Sequence, residues 1–513
     1  MAIGDVTFVK GQGGLGRPLP GEDFISGLVL YGSYPSGFSS TVPVRQFFSV
    51  ADAENAGIVD TYVDSATTQA TVPITISTVG ATGDTVTFIV KEIPSFANGL
   101  SVDNPVSLGT YTLTSGDHAD ATGDALANSL AAFITNGLYL HGYTATASGS
   151  SNVVTLHCPK RLGIYVPTVT YNRTGNTFVA NAGSATAGTA SALAVWHYHI
   201  SEYFRLQPKG NLYVGVFASS TNFQEISAVQ TFAQGTIRQL AVYKNGSFAT
   251  GDLSLINTEI VTNNDNKHKP MSALYAGDLA HLTDLTTDLN SLSANKVSAI
   301  VSQDGGALGA YLYHYFGKSI TTLGAALGAV SLASVHESIE WRSKFNISNG
   351  YECDTPAFAD STLVSTVSQN QLDQLDAYRY VFLIKNIGFS GSYFNSSHTA
   401  VSVTSDYAYI ENNRTIDKAI RGVYSSLLPA LGAPIVLNGD GTLTDESISY
   451  FTSLAELNLR EMARNTELSD FAVIINSTQN VLSTNTLVVA VELLPVGVAR
   501  AITVNIGFVV AIS

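Results

Sequence analysis

Charge is what this chain of 513 residues has least of: Asp, Glu, Lys and Arg make up 13% of it, against 45% hydrophobic residues. A charge set that sparse has two readings, a surface covered in part by partner molecules or a β-rich protein with bland polar faces. What charge there is leans acidic, 40 Asp and Glu against 25 Lys and Arg, a formal net of −15. A nucleic-acid groove needs clustered cations to meet phosphates, so direct nucleic-acid binding is not expected. Cysteine is nearly missing. Cys158 and Cys353 stand in unrelated contexts, which argues against a disulfide framework or a zinc site and fits folding in a reducing cytoplasm. Long apolar runs are missing too: Glu492, Pro495, Arg500 and Asn505 break up the C-terminal stretch, leaving nothing near the ~20 apolar residues a spanning helix needs. No membrane insertion is expected, and Met1–Asp5 has neither the basic nor the apolar region of a signal peptide.

The motifs of catalysis and cofactor binding are likewise wanting. Residues 11–16 spell GxGxxG, but Pro18 and Pro20 follow at once, and no helix can continue to face a pyrophosphate. His197 and His199 lie two apart, on one face if the segment is a strand, yet no Cys, carboxylate or third His is spaced to complete a metal shell. Aromatic packing is the expected role. The run 438–441 looks like part of a calcium loop, but the alignment puts Val436 at the first ligand position and Ser447 where a bidentate Glu belongs. A tight turn is expected there instead. HExxH, GxSxG and P-loop patterns are not found. The chain is read as no enzyme, with no catalytic, cofactor-binding or metal residue and no cofactor.

What the chain does have is strand-forming sequence running to its last residue. In 500–508 the apolar residues take alternate positions, Ile502, Val504, Ile506 and Phe508, with Thr503 and Asn505 opposite. That is the period of a strand with one buried face. Pro495 and Gly497 divide it from the run 487–494, in which no arm role is assigned to Val488. The tail therefore reads as two strands and a turn. An apolar β-branched terminus needs a sheet to join. If that sheet belongs to a neighbouring copy, the protein is a polymer subunit.

At this length two to four domains are expected, and four regions differ in texture. Residues 1–69 read as an N-terminal arm and the start of a core, with strands at 5–10 and 25–31 about a Gly- and Pro-rich loop at 11–21. Residues 70–188 read as an inserted β-rich domain: strands at 72–77 and 85–90, a helix at 124–134, a hairpin at 144–156 and an exit linker at 180–188. Residues 189–390 alternate strands (211–217, 237–243, 297–301, 380–384) with helices (223–234, 271–282), the pattern of an α/β layer with a mainly parallel sheet. Residues 391–513 form an α+β segment. Its first helix carries an apolar stripe from Ile416 to Leu428 and stops at Pro429; the second, capped by Thr444 or Asp445, runs through Met462.

Several passages, in order, resemble the tail sheath proteins of contractile bacteriophage tails. They are LGAVS (327–331), VHESI (335–339), SDYAYIENNRTIDKAIR (405–421), Leu428-Pro429, NGDGTL (438–443), LSDF (468–471), QNVLS (479–483), and PVGVAR (495–500) continuing to Ile506-Gly507-Phe508. The likeness covers the first ~60 residues and those from ~190 onward, and leaves 70–188 outside as decoration. It implies an α/β sheath core with extended N- and C-terminal β arms, in stacked six-fold rings of the protein with itself around an inner tail tube protein, ended by baseplate and tail terminator proteins. It implies a virion tail assembled in the host cytoplasm, which contracts to drive the tube through the host envelope. Arms that donate strands to neighbours are part of that implication, with Val6, Phe8, Ile502, Val504, Ile506 and Phe508 as anchors. Loss of residues 1–20 or 487–513 is then expected to leave a folded chain that does not assemble. The alternative is a glycan-binding surface or tail-associated adhesin.

Overall fold

The computed structural model describes residues 23–93, 105–120, 122–137, 140–175, 177–266, 268–348, 352–504, 506 and 508. The strand expected at 5–10, with Val6 and Phe8, and the loop at 11–21 lie outside these residues. The described chain opens with β1 (Ile25–Tyr31), β2 (Val44–Phe47) and α1 (Val50–Asn55). It then builds a second unit from β3 (Thr71–Thr78), β4 (Thr85–Lys91), β5 (Pro105–Thr112), α2 (Asp124–Asn136), β6 (Thr144–Ala147), β7 (Val153–His157), β8 (Thr168–Thr174) and β9 (Val179–Ala182). On its return it lays down α3 (Leu193–Leu206), β10 (Asn211–Phe217), α4 (Glu225–Phe232), β11 (Gln239–Ser247), α5 (Thr250–Val261), β12 (Ser272–Asp278) and β13 (Val297–Ala299). There follow β14 (Ser302–Asp304), α6 (Leu308–Phe316), α7 (Leu323–Leu332), β15 (Pro356–Phe358), α8 (Gln369–Ala377), β16 (Leu383–Asn386) and β17 (Phe389–Phe394). The last elements are α9 (Ile410–Leu427), α10 (Asp445–Arg464), β18 (Leu468–Ile474), α11 (Val481–Thr484) and β19 (Ala490–Pro495).

The main sheet has the order β13-β12-β11-β1-β10-β2 and is parallel throughout except for β2, which runs antiparallel to β10. All seven residues of β1 are buried, because a parallel strand in mid-sheet is covered on both faces. Its alternate residues feed two cores: Leu28 and Leu30 face the layer of α3 and α7, while Val29 and Tyr31 face α4 and α5. The close fit of α7 on α3 needs glycine. A Cβ at Gly324 or Gly328 would run into the α3 backbone at His199 or Tyr203. The second unit holds a core of its own, with Ile74, Phe88, Leu126, Leu130 and Val154 between a four-stranded sheet (β6-β7-β3-β9) and a three-stranded one (β5-β4-β8).

Four expectations are corrected. Residues 271–282 are not a helix; β12 runs through them, and its six consecutive buried residues from Ser272 to Gly277 give a run whose period cannot separate a doubly covered strand from a buried helix. His197 and His199 are on α3, not on a strand, so they point to different surroundings. The exit linker begins as β9, paired to β3. The strand expected at 380–384 touches the main sheet only through a bridge between Ile300 and Val381, and β16 pairs with β17 instead. The turn expected at 438–441 is present: the Gly441 N–H donates to the Asn438 carbonyl at 2.9 Å. Among the described residues no helix is long and apolar enough to cross a membrane.

His199 is fully buried with its ring 4.7 Å from that of Tyr243, and neither ring nitrogen meets a hydrogen-bond partner among the described residues. Burial pushes its pKa down to about 3. Between that value and the unfolded value near 6.5 the unfolded chain binds a proton that the folded chain refuses. Stability is therefore full above about pH 6.5 and falls as the pH drops below it, by about 1.4 kcal/mol per pH unit. His199→Phe is expected to flatten this acid limb and to stabilise the α/β unit at pH 7 by about 1 kcal/mol, since it removes unpaired polar atoms. Urea midpoints at pH 7.5, 6 and 5 check both; an acid limb equally steep in the variant would show that another group carries it.

Candidate inter-subunit joint

The C-terminal unit is built on two amphipathic helices. Thr444 caps α10, its Oγ1 accepting from the Ser447 N–H at 3.2 Å, and Asp445 and Glu446 sit in the first turn where the helix dipole favours them. Phe451, Ala455, Leu459 and Met462 are buried along one stripe of that helix. Leu459, Met462 and Leu468 pack with Ala419 of α9, and against them lies one face of the β18–β19 hairpin, Phe471 and Val473 beside Val491 and Leu493. The other face is open, with Ile474 and Leu494 exposed. This sheet has two strands among the described residues. A sheet that small is marginal alone, and its outer edges present unpaired N–H and C=O groups, a ready template for another strand.

Beyond β19 the tail forms no strand among the described residues. The first of the two expected tail strands is thus β19, paired within its own chain to β18. The second finds no sheet here. Ile502, Val504 and Ile506 are 81%, 69% and 91% exposed, and Phe508 is wholly so. Burying each such side chain is worth about 1.5–3 kcal/mol, and that gain is forgone along a whole alternating face. The structure gathers these four onto one tail, which pairs with no strand among the described residues.

The root of that tail, by contrast, is fixed. The Arg500 guanidinium pairs with Glu340 and Glu411 and lies over the Tyr409 ring, 3.5 Å from its centroid. Burial raises the Glu340 carboxyl above its ordinary range; Arg500 opposes the rise, and the neighbouring Glu411 adds to it. Beside this contact lies an open cavity of about 800 Å³, lined by Trp341, Phe389, Val498 and Ile502 among others. Glu340, Tyr409 and Glu411 were not legible as a site, since their partner stands 89 residues or more away in the chain. The one signal was a lone Arg between two strand-patterned runs in a chain poor in charge.

Two family profiles cover almost the whole chain: the N-terminal domain of DUF2586 matches residues 3–398, and the C-terminal domain of DUF2586 matches residues 406–513. The chain belongs to the DUF2586 family. In its terms, Arg500 of the C-terminal DUF2586 domain reaches back to Glu340 of the N-terminal one. The open hairpin lies wholly in the C-terminal DUF2586 domain. No curated protein matches the chain. Among solved structures, it is similar to a chain of the anti-feeding prophage baseplate, with 13% identity, 61% of this chain and 80% of that one covered, and a TM-score of 0.41. It is similar to the sheath tail protein of Desulfitobacterium hafniense, with 12% identity, coverage of 92% and 93%, and a TM-score of 0.38. A chain of an extracellular contractile injection system, the PVC sheath complex in its contracted state, gives 13% identity, coverage of 61% and 80%, and a TM-score of 0.41. At such TM-scores the likeness does not by itself establish a common fold.

Proposed function

We propose that this chain is a structural subunit of a contractile tail sheath, which polymerises around an inner tube and shortens to drive it through a cell envelope. The observation that carries the proposal is the C-terminal tail: strand-patterned, exposed and held at its root by Arg500, in a chain whose C-terminal hairpin has both edges open among the described residues. The tail of one copy would add a strand to the β18–β19 edge of another, pairing backbone groups and covering Ile502, Val504, Ile506 and Phe508. Each such hydrogen bond adds only about 0.5–1.5 kcal/mol net. Several per joint, repeated over every subunit, keep an array connected while its bodies rotate. The energy for shortening is stored in the extended packing. Stacked six-fold rings, tube, baseplate and terminator partners, and a place in a virion tail are what the sequence resemblance implies, and they complete the proposal.

The 70–188 unit is proposed to be an outward decoration. Its two crossings run side by side, with the Thr68 N–H donating to Thr189 Oγ1 at 2.8 Å and the Thr189 N–H to the Thr68 carbonyl at 3.2 Å. Joining 69 to 189 through a short linker therefore leaves the main sheet untouched. Negative-stain microscopy of the purified full chain is expected to show tubes or rings, and the same from the chain without 70–188. A full chain that never polymerises at high concentration would sink the sheath proposal. Tubes from the full chain alone would make the inserted unit part of the lattice.

A further inference from the structure

Both ends of the described chain are tied by charge to the same helix. Asp23, at the head of β1, has its carboxylate 2.8 Å from Lys418 and 2.8 Å from Arg421, and its carbonyl accepts from Arg414 at 3.3 Å. Those three cations occupy positions i, i+4 and i+7 of α9, one stripe of its surface. Burial opposes the Asp23 charge, but Arg421 and Lys418 outweigh it and hold the carboxyl below its ordinary range. Lys418 also binds Glu467, at 2.6 Å, just before β18. In the first turn of the same helix, Glu411 binds Arg500, and its side chain is only 3% exposed. Arg414 stands one turn further on and donates to the carbonyls of Ala333 and Ser334 at 2.9 and 3.1 Å. That fixes the segment carrying Glu340, the other partner of Arg500. From Glu411 to Arg421 is about 15 Å of helix.

We infer that α9 is a shared anchor for the two arms, with Asp23 and Arg500 as positioning residues that make the roots of both move as one body. A helix is stiff at this length, and each root is held by more than one charged contact in a largely buried site. Displacing one root must either carry α9 with it or leave buried charges unpaired, and the second course is strongly opposed. In a strand-exchanging array, a pull arriving through one arm would thus leave through the other without passing through the main sheet. That consequence rests on the sheath proposal. The anchor itself is a property of the unassembled chain and is tested there.

Trypsin reads it, because Arg500 can enter the protease only when its guanidinium has left Glu340, Glu411 and Tyr409. When closing is fast, the cutting rate follows the open population. The full-length, unassembled chain is digested briefly and the release of residues 501–513 is followed by mass spectrometry. Glu411→Gln is expected to speed that release about tenfold or more, the usual weight of a charged hydrogen bond. Asp23→Asn, at the far end of α9, is expected to speed it several-fold, while cutting at Arg161 and Arg173 in the 70–188 unit stays at the wild-type rate. Wild-type release from Asp23→Asn means that the roots are independent and overturns the shared anchor; wild-type release from Glu411→Gln overturns its C-terminal half. Should Asp23→Asn loosen Arg161 and Arg173 as well, Asp23→Glu carries the same test, since it keeps the charge and shifts only its reach. Unchanged release in that variant also overturns the shared anchor. Micrographs without tubes bear on the sheath proposal alone and leave these digestion rates as they are.

Discussion

A chain ending at Arg500 is expected to fold and to remain a monomer. The cut removes Ile502, Val504, Ile506 and Phe508, all highly exposed, so the folded body loses none of its described core. It leaves Arg500 on Glu340 and Glu411 and β19 on β18. What goes is the segment proposed to pair with a neighbour. At about 1.5–3 kcal/mol for each apolar side chain that would be buried, the concentration needed for polymerisation should rise more than 100-fold. Sedimentation velocity and negative-stain microscopy at matched concentrations check this. Normal tubes from the shortened chain would refute the proposed joint. A cut at 487 is a poorer experiment than the sequence reading implied, because it strips β18 of its partner and exposes Phe471, Val473 and Met462, confusing loss of assembly with loss of the C-terminal fold.

Lys418→Met should destabilise the C-terminal unit by about 3–5 kcal/mol. Lys418 stands between two acids, 2.8 Å from Asp23 and 2.6 Å from Glu467, and is nearly buried. The methionine fills the space of the stem but leaves Glu467 facing no cation at hydrogen-bond range among the described residues and the Asp23 carboxylate paired with Arg421 alone. Replacing a whole buried ion pair by apolar groups is often harmless, whereas removing one partner strands a charge. Lys418→Met/Glu467→Met should therefore regain much of the loss. Urea unfolding followed on the C-terminal unit measures both. A single variant as stable as the wild type would show that water reaches these acids and that the network is surface electrostatics.

Periodic elements were legible because their signals are local. The helices α9 and α10, the alternation in β4 and the glycine turns of the 70–188 unit each depend on residues a few positions apart, although α9 leaves Ile420, Tyr424 and Leu428 of its apolar stripe exposed and buries Glu411, Arg414, Asp417 and Lys418 instead. Where period was silent, the reading slipped. β12 is covered on both faces and shows no alternation. The His197–His199 segment took a strand reading from two-residue spacing, yet it forms α3, whose faces pack on α7 and α1. The tail was read as two strands by the same rule. One became β19, and the other stands without a sheet because a strand is completed only by a partner, and within this chain it meets none among the described residues.

By itself, the sequence determined the character of each segment: a tail patterned for one buried face, helices with one apolar side, and a chain without the motifs of a cofactor site. The tertiary structure alone decided which segments meet. Asp23 and Arg421 stand 398 residues apart and are joined at 2.8 Å; Arg500 finds Glu340 across the boundary between the two family domains, and Glu411 89 residues away within its own. Periodicity follows from backbone geometry repeated every two or four residues and is written into any short window. A charge contact depends on where the whole chain closes upon itself, and no window of sequence contains that.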